Sequence, residues 1–244
     1  MHLHGSPPAF LTFPGLDALG VPHATTTRHC PGVTAPSEPT APLGGPARPV
    51  LAAAGIDVAR VAYLRQVHGA DVRHARPDGG YSGDGDVLVT ATRGAPLAVF
   101  SADCAPILLY DSVAPALALV HAGWRGTARG AVAAAVSALV DLGARCARVH
   151  AAIAPAIGPC CYEVDLPVIE AFTRAHGVAA RRWMTPGRDG HVMLDLIRAN
   201  ADMLRMVGIE HIEMSGLCTA CRPDLLYSYR KGNRGRLVTI AAMP

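Results

Sequence analysis

Asp86-Val87-Leu88-Val89-Thr90, Pro96-Leu97-Ala98-Val99-Phe100-Ser101, Pro106-Ile107-Leu108-Leu109-Tyr110-Asp111 and Pro115-Ala116-Leu117-Ala118-Leu119-Val120-His121 are four short apolar runs separated by Gly, Pro, Ser and Asp. Runs of this length between turn residues predict strands with tight connections. Downstream, residues 127–142 carry Val132, Val136, Leu139 and Val140 on a helical stripe that Gly143 stops. Residues 148–154 read as a buried strand and 155–162 as a loop held to one path by its Gly and Pro residues. Helical spacing returns at 166–176 and 195–207, and 209–215 and 237–242 are further strand candidates. Upstream, 50–54 reads as a short helix ending at Gly55, 31–49 as an aperiodic Pro/Gly/Ala/Thr-rich loop, and 1–22 as flexible. The irregular alternation predicts an α+β fold: one mixed α/β domain over residues 1–244, with short, mainly antiparallel strands packed against helices.

Three polar clusters sit at the ends of apolar runs: Gln66-Val67-His68-Gly69, Ser101-Ala102-Asp103-Cys104 and Val120-His121-Ala122-Gly123-Trp124-Arg125-Gly126. Each places one soft or borderline metal ligand where a buried segment meets a turn of small residues. Singly, such a Cys is a core residue and such a His a turn residue. Their repetition predicts that His68, Cys104 and His121 converge on one ion, with a fourth position open for water or substrate, as in catalytic zinc sites.

The 244 residues carry a net charge of +3, with Lys231 the sole lysine and the arginines scattered among acids. No basic stripe is present to track a phosphate backbone, so nucleic acid is not an expected partner. No apolar run reaches the length of a membrane span, so no membrane association is expected. The opening Met1-His2-Leu3-His4-Gly5-Ser6-Pro7-Pro8 lacks the basic and apolar regions of a signal peptide. With seven cysteines, an odd number, in a long core-rich chain, the expected location is the reducing cytoplasm. The chain carries no signal of oligomeric state. No Gly-x-Gly-x-x-Gly turn or P-loop is present, which speaks against dinucleotide or nucleoside-triphosphate binding. Cys218-Thr219-Ala220-Cys221 has Cys-x-x-Cys spacing, but no second pair lies at zinc-ribbon distance. The vicinal Cys160 and Cys161 are expected to point apart, with at most one lining a common site. Both pairs read as structural thiols near the cleft, with a second metal site or redox switch as the alternative for Cys218 and Cys221.

Six segments in order resemble the multicopper-oxidase-like laccase domain family: Gln66-Val67-His68-Gly69, Asp84-Gly85-Asp86, Ala102-Asp103-Cys104, His121-Ala122-Gly123-Trp124-Arg125-Gly126, Ile157-Gly158-Pro159-Cys160-Cys161-Tyr162-Glu163-Val164 and Ser228-Tyr229-Arg230. This is the bacterial polyphenol oxidoreductase or purine nucleoside phosphorylase family, with a human macrophage member. The resemblance runs from about residue 23 to the C-terminus. Despite its name, the family lacks the copper-ligand pattern of true laccases. The resemblance implies a single α/β domain with a shallow metal site on His68, Cys104 and His121, filled by zinc, with copper as the alternative. It also implies phosphorolysis of adenosine, inosine and methylthioadenosine, accompanied by adenosine deamination, so the expected partners are nucleosides and phosphate. Two segments depart from the family: the Pro-rich 35–45 replaces a Ser-Leu-Asn-Leu-Gly stretch, and Arg234-Gly235-Arg236 replaces a Thr-Gly-Arg turn.

Phosphorolysis develops positive charge on the ribose and negative charge on the leaving base, so the enzyme must hold phosphate near C1′. Arg125 and Arg230 are the candidates for that anion, because a guanidinium forks onto phosphate oxygens. Asp103, beside the Cys, is a candidate acid/base or a support for a His ligand. With the same residues recast, Cys104 becomes a thiolate nucleophile with His68 or His121 as its base, a cysteine hydrolase or amidase suited to editing peptidoglycan precursors. Copper in the site would give a phenol oxidase, and a ligand-binding protein without turnover is a third class.

Overall fold

The computed structural model describes residues 1–33 and 43–244. The first strands are β1 (His2–Gly5), β2 (Pro8–Thr12), β3 (His23–Thr26), β4 (Ala62–Arg65), β5 (Val72–His74) and β6 (Gly80–Asp84). The middle of the chain supplies β7 (Val87–Thr90), β8 (Leu97–Ser101), β9 (Ala105–Asp111), β10 (Ala116–Ala122) and β11 (Val149–Ile153). The remainder are β12 (Glu163–Val164), β13 (Met184–Pro186), β14 (Val192–Leu194), β15 (His211–Met214) and β16 (Leu237–Ala241). The helices are α1 (Pro14–Ala18), α2 (Ala47–Ala52), α3 (Trp124–Ala128), α4 (Ala131–Asp141), α5 (Leu166–His176) and α6 (Leu196–Met206).

The two large sheets run in the orders β1-β2-β3-β16-β8-β4-β6 and β15-β11-β9-β10-β7-β5, with a small third sheet β12-β14-β13. Pairing is antiparallel except at β4–β6, β4–β8, β5–β7 and β11–β15. The expected α+β architecture, with mainly antiparallel strands in one domain, is what the chain forms.

Side-chain alternation builds four layers. In β7, β9 and β10, Leu88, Leu108, Leu117 and Leu119 face the seven-stranded sheet, where they meet Leu64, Leu97 and Val99. Their neighbours Val87, Val89, Ile107, Leu109, Ala118 and Val120 face Val132, Val136 and Leu139 of α4, and Phe172 and Leu204 of α5 and α6. The far side of the seven-stranded sheet, with Phe100, Val238 and Ile240, packs against Ala47 and Leu51 of α2. Strands buried on both faces read as continuous apolar runs, which is why the four runs of 86–121 stand out in the sequence.

Three expectations are corrected. Residues 1–22 are not a loose tail: β1 pairs with β2 and β2 with β3, and Leu11, Phe13 and Leu16 are buried between the sheets. The helix expected at 127–142 is two, because Gly130 takes φ 83° between α3 and α4. The short helix expected at 50–54 begins earlier, as α2. Residues 34–42 of the loop expected at 31–49, and with them most of the departure at 35–45, lie outside the described residues. No helix among the described residues is long and apolar enough to cross a membrane.

Candidate functional site

The register of β9 and β10 explains how Cys104 and His121 meet. His121 pairs with Pro106 and Ala122 with Ala105, so Cys104, just before β9, lies beside the end of β10. Across the other edge of β10, Val120 pairs with Val87, which puts Asp86 beside His121. Asp86 then recruits the third residue. Its wholly buried carboxylate accepts the backbone N–H groups of Val67 (3.2 Å), His68 (3.0 Å) and Gly69 (2.6 Å), and lies 2.8 Å from His121 Nδ1. One carboxylate thus fixes the turn that carries His68 and the ring of His121.

The outcome is a group of three donors, one atom each from His68, Cys104 and His121, all within 4.8 Å of one another. Donor atoms around a tetrahedral zinc stand roughly 3.3–3.8 Å apart, given bonds of ~2.0–2.3 Å. The set is mixed imidazole and thiolate, and the Asp86 contact engages Nδ1 of His121 and leaves Nε2 as its donor. Both features suit a borderline or soft ion.

Two non-glycine residues among those described have positive φ, His68 at 58° and Asp103 at 92°, and both are in this site. Such a backbone costs of order 1–3 kcal/mol and persists where its surroundings over-determine it. For His68 the surroundings are Asp86. For Asp103 they are three loops: its Oδ1 accepts Thr219 Oγ1 (2.6 Å), its Oδ2 the backbone N–H of Arg230 (2.7 Å), and its carbonyl the N–H of Ile157 (2.9 Å). Gly123, between His121 and α3, is needed as glycine, since a Cβ there would stand 2.7 Å from Cys104 Sγ.

The electrostatics follow from this packing. Burial alone would raise the Cys104 thiol, but His121 and His68 outweigh it and bring the thiol down to about 6. Burial would lower His121, but Cys104 and Asp86 outweigh that and raise the imidazole to about 9. Burial would raise Asp86, yet the His121 contact and the backbone N–H groups hold it below the ordinary carboxylate value. Cys104 and His121 thus each favour the charged form of the other.

The trio opens into a cavity of about 580 Å³. Its lining includes Phe100, Trp124, Tyr162 and Tyr229 and three arginines, Arg125, Arg230 and Arg236. Arg125 Cζ stands 4.2 Å from the centre of the Trp124 ring and, among the described residues, has no carboxylate within 4.0 Å. Arg230 stacks on Tyr162 at 5.2 Å and donates to the Glu163 carbonyl. Ser101, at the end of β8, lines the cavity with a buried hydroxyl that has no partner.

All six sequence candidates, His68, Asp103, Cys104, His121, Arg125 and Arg230, line this one cavity. The support for a His ligand falls to Asp86, not to Asp103, whose carboxylate ties the Thr219 and Arg230 loops together. In the sequence Asp86 shows only as the start of a strand run and part of the Asp84-Gly85-Asp86 segment, and Arg236 only as the last residue of the altered Arg234-Gly235-Arg236 turn. The aromatic walls carried no separate signal. The expectation that Cys160 and Cys161 point apart is overturned: both Sγ atoms lie 3.4 Å from Cys221 Sγ. The two loops meet, and adjacent residues on a tight turn present both thiols to a third.

Residues 46–244 match the family described as multi-copper polyphenol oxidoreductase laccase. The purine nucleoside phosphorylase of Deinococcus radiodurans is 38% identical over 96% of each chain, and that of Streptomyces coelicolor 39% identical over 75% of each. Among solved structures, YlmD from Geobacillus stearothermophilus aligns with a TM-score of 0.87 at 27% identity, covering 99% of this chain and 98% of that one. The Bacillus licheniformis hypothetical protein YfiH aligns at 0.86 with 26% identity over 97% of each chain. With this match over most of its length, relatives at such identity and the same fold throughout, the chain belongs to the multi-copper polyphenol oxidoreductase laccase family.

Proposed function

We propose that this protein is a zinc-dependent purine nucleoside phosphorylase acting on adenosine, inosine and methylthioadenosine, with adenosine deaminase activity in the same pocket. The observation that carries the reading is one cavity combining a His/Cys/His donor set, aromatic residues and three arginines in its lining. The names of the relatives support the same reaction class.

His68, Cys104 and His121 would hold the ion, and zinc supplies Lewis acidity there, the property both reactions call for. The chain's own groups do the rest. Trp124, Tyr162 and Tyr229 offer ring faces for a purine, and offset stacking of this kind is worth about 0.5–1.5 kcal/mol beyond area burial. Arg125 and Arg230 hold phosphate beside the sugar, Arg236 adding a third positive charge. A phosphate oxygen forms a bond to C1′ as the C1′–N9 bond breaks, and the base leaves with that electron pair and takes up, by way of water, the proton that the hydrogen phosphate gives up. Asp103 acts through Arg230, whose backbone it anchors. Deamination draws on the purine subsite and the metal and has no use for the phosphate subsite.

A second reading has its own observation, the Cys104 thiol brought down to about 6 beside the imidazolium of His121. In metal-free protein that is an activated nucleophile of a cysteine hydrolase. Metal content separates the two, because a sulfur holding zinc is a poor free nucleophile.

The test is metal analysis of protein purified without chelator or nickel resin, followed by a panel of nucleosides with and without phosphate. Zinc bound at the trio, phosphate-dependent base release, and loss of that release in Cys104→Ala and His121→Ala are expected. Wild-type base release by either variant would remove the site from the reaction. Copper with phenol oxidation, or hydrolase activity only after metal removal, would replace the reading.

A further inference from the structure

Outside the pocket, the largest concentration of soft donors is Cys160, Cys161, Cys218 and Cys221, whose four Sγ atoms all lie within 4.8 Å of one another. The first pair sits in the turn between β11 and β12, the second in the loop after β15. A lone parallel bridge, Ala156 with Cys218, and the Thr219 N–H to Ala156 carbonyl bond (3.0 Å) clamp the two loops together. Each pair lies in a tight turn closed by a backbone bond, Cys161 N–H to Gly158 carbonyl (3.0 Å) and Cys221 N–H to Cys218 carbonyl (3.2 Å). Gly158 allows the approach, since a Cβ there would stand 3.3 Å from Cys218 Cβ and 3.4 Å from Cys160 Sγ. Its N–H donates to Cys218 Sγ at 3.2 Å, the kind of contact that orients a thiolate ligand.

We propose that these four cysteines form a second, structural metal site that takes zinc, closed to substrate by its four protein ligands. The sulfurs of a tetrahedral zinc thiolate stand roughly 3.8 Å apart, given Zn–S bonds of ~2.3 Å. The observed separations, two at 3.4 Å and the rest up to 4.8 Å, bracket that edge. A disulfide uses two sulfurs at ~2.05 Å and gives no reason for four to converge. On binding, each ligating thiol gives its proton to solvent and no redox change occurs.

The site's neighbours give it a purpose. Tyr162, directly after Cys161, walls the pocket, and Thr219, between Cys218 and Cys221, donates to Asp103 beside Cys104. An ion here locks two loops that shape the pocket. The proposal does not depend on which reaction the pocket performs.

The test uses the whole chain, purified without chelator, and counts zinc. The wild type is expected to hold about two ions per chain, the double variant Cys218→Ser/Cys221→Ser about one, and His121→Ala about one. Should the double variant fail to fold, alkylation of the wild type followed by peptide mapping decides. Cys160, Cys161, Cys218 and Cys221 should resist alkylation until a chelator strips the metal, and Co²⁺ loaded in its place should give an intense thiolate-to-cobalt charge-transfer band. Zinc that disappears entirely with His121→Ala while the four thiols alkylate freely would overturn the proposal. So would a disulfide among them in metal-free protein that reduction, not chelation, opens to alkylation.

Discussion

Asp86 carries more of the site than any residue that would touch the ion. Its Oδ1 receives His68 N–H and faces His121 Nδ1, and its Oδ2 receives Val67 and Gly69 N–H. Asn in its place keeps the size but turns one acceptor into a donor, so at least one N–H is left facing an NH₂ group. Asp86→Asn is therefore expected to weaken metal binding by ~10–100-fold, the usual effect of losing a group that orients a metal-ligating His. Competition against a chelator of known affinity measures it, and unchanged affinity would show that the strand ends alone place the ligands. The ligands themselves were legible because a His or Cys at a strand end, followed by small residues, is a local pattern. Asp86 was not, because its role depends on the register of β7 with β10 and on a turn eighteen residues upstream, neither of which the sequence displays.

The elements were legible in proportion to how local their causes are. α5 and α6 follow their periodicity, α6 beginning after Asp195, which accepts Arg198 N–H at 2.9 Å, and ending before Gly208 at φ 87°. The split between α3 and α4 hides in an unbroken alanine-rich stretch, and only the left-handed Gly130 marks it. That split serves the site. It lets α3 leave the line of α4 and be pinned to α6, where Asn200 Nδ2 donates to Thr127 Oγ1 at 3.0 Å. Arg125, in the first turn of this short anchored helix, lines the cavity with its Cζ over the Trp124 ring. Arg125→Met keeps much of the packing against that ring and removes the charge. Losing a charge-assisted contact to phosphate costs about 1.5–3 kcal/mol, roughly a ten- to hundredfold loss in kcat/KM for phosphorolysis. Deamination should change much less, and equal loss of both activities would instead make Arg125 a support for the His121 turn.

At the scale of the whole molecule, what the sequence concealed is long-range pairing: β16, at the C-terminal end, lies between β3 and β8, and the N-terminal β1 and β2 extend the same sheet. The runs at 86–121 announce themselves because both of their faces are buried, whereas β1, with its exposed His2 and Leu3 at the sheet edge, has no such pattern. This layered core also separates stability from chemistry. β9 begins beside Cys104 and ends at Asp111, a span of roughly 20 Å at ~3.3 Å per residue. Asp111 is wholly buried and accepts Arg148 Nη2 (2.8 Å), Arg148 Nε (3.0 Å) and the N–H groups of Val113 (2.8 Å) and Arg145 (3.0 Å). Burial would raise its pKa, but Arg148 and these N–H groups outweigh that and hold it below the ordinary carboxylate range. A lowered carboxylate contributes stability that is full above its ordinary value, near 4, and is lost as pH falls through the folded value. Asp111→Ala leaves Arg148 partly open to water, so the cost should fall at the low end of that for breaking a buried pair, about 3 kcal/mol. That corresponds to a Tm lower by about 6–12 °C near pH 7 for a chain of this size. The gap between wild type and variant should narrow in acid, while kcat/KM well below the melting range stays at the wild-type value. A variant with unchanged Tm but impaired catalysis would mean that the far end of β9 governs the site and not the core.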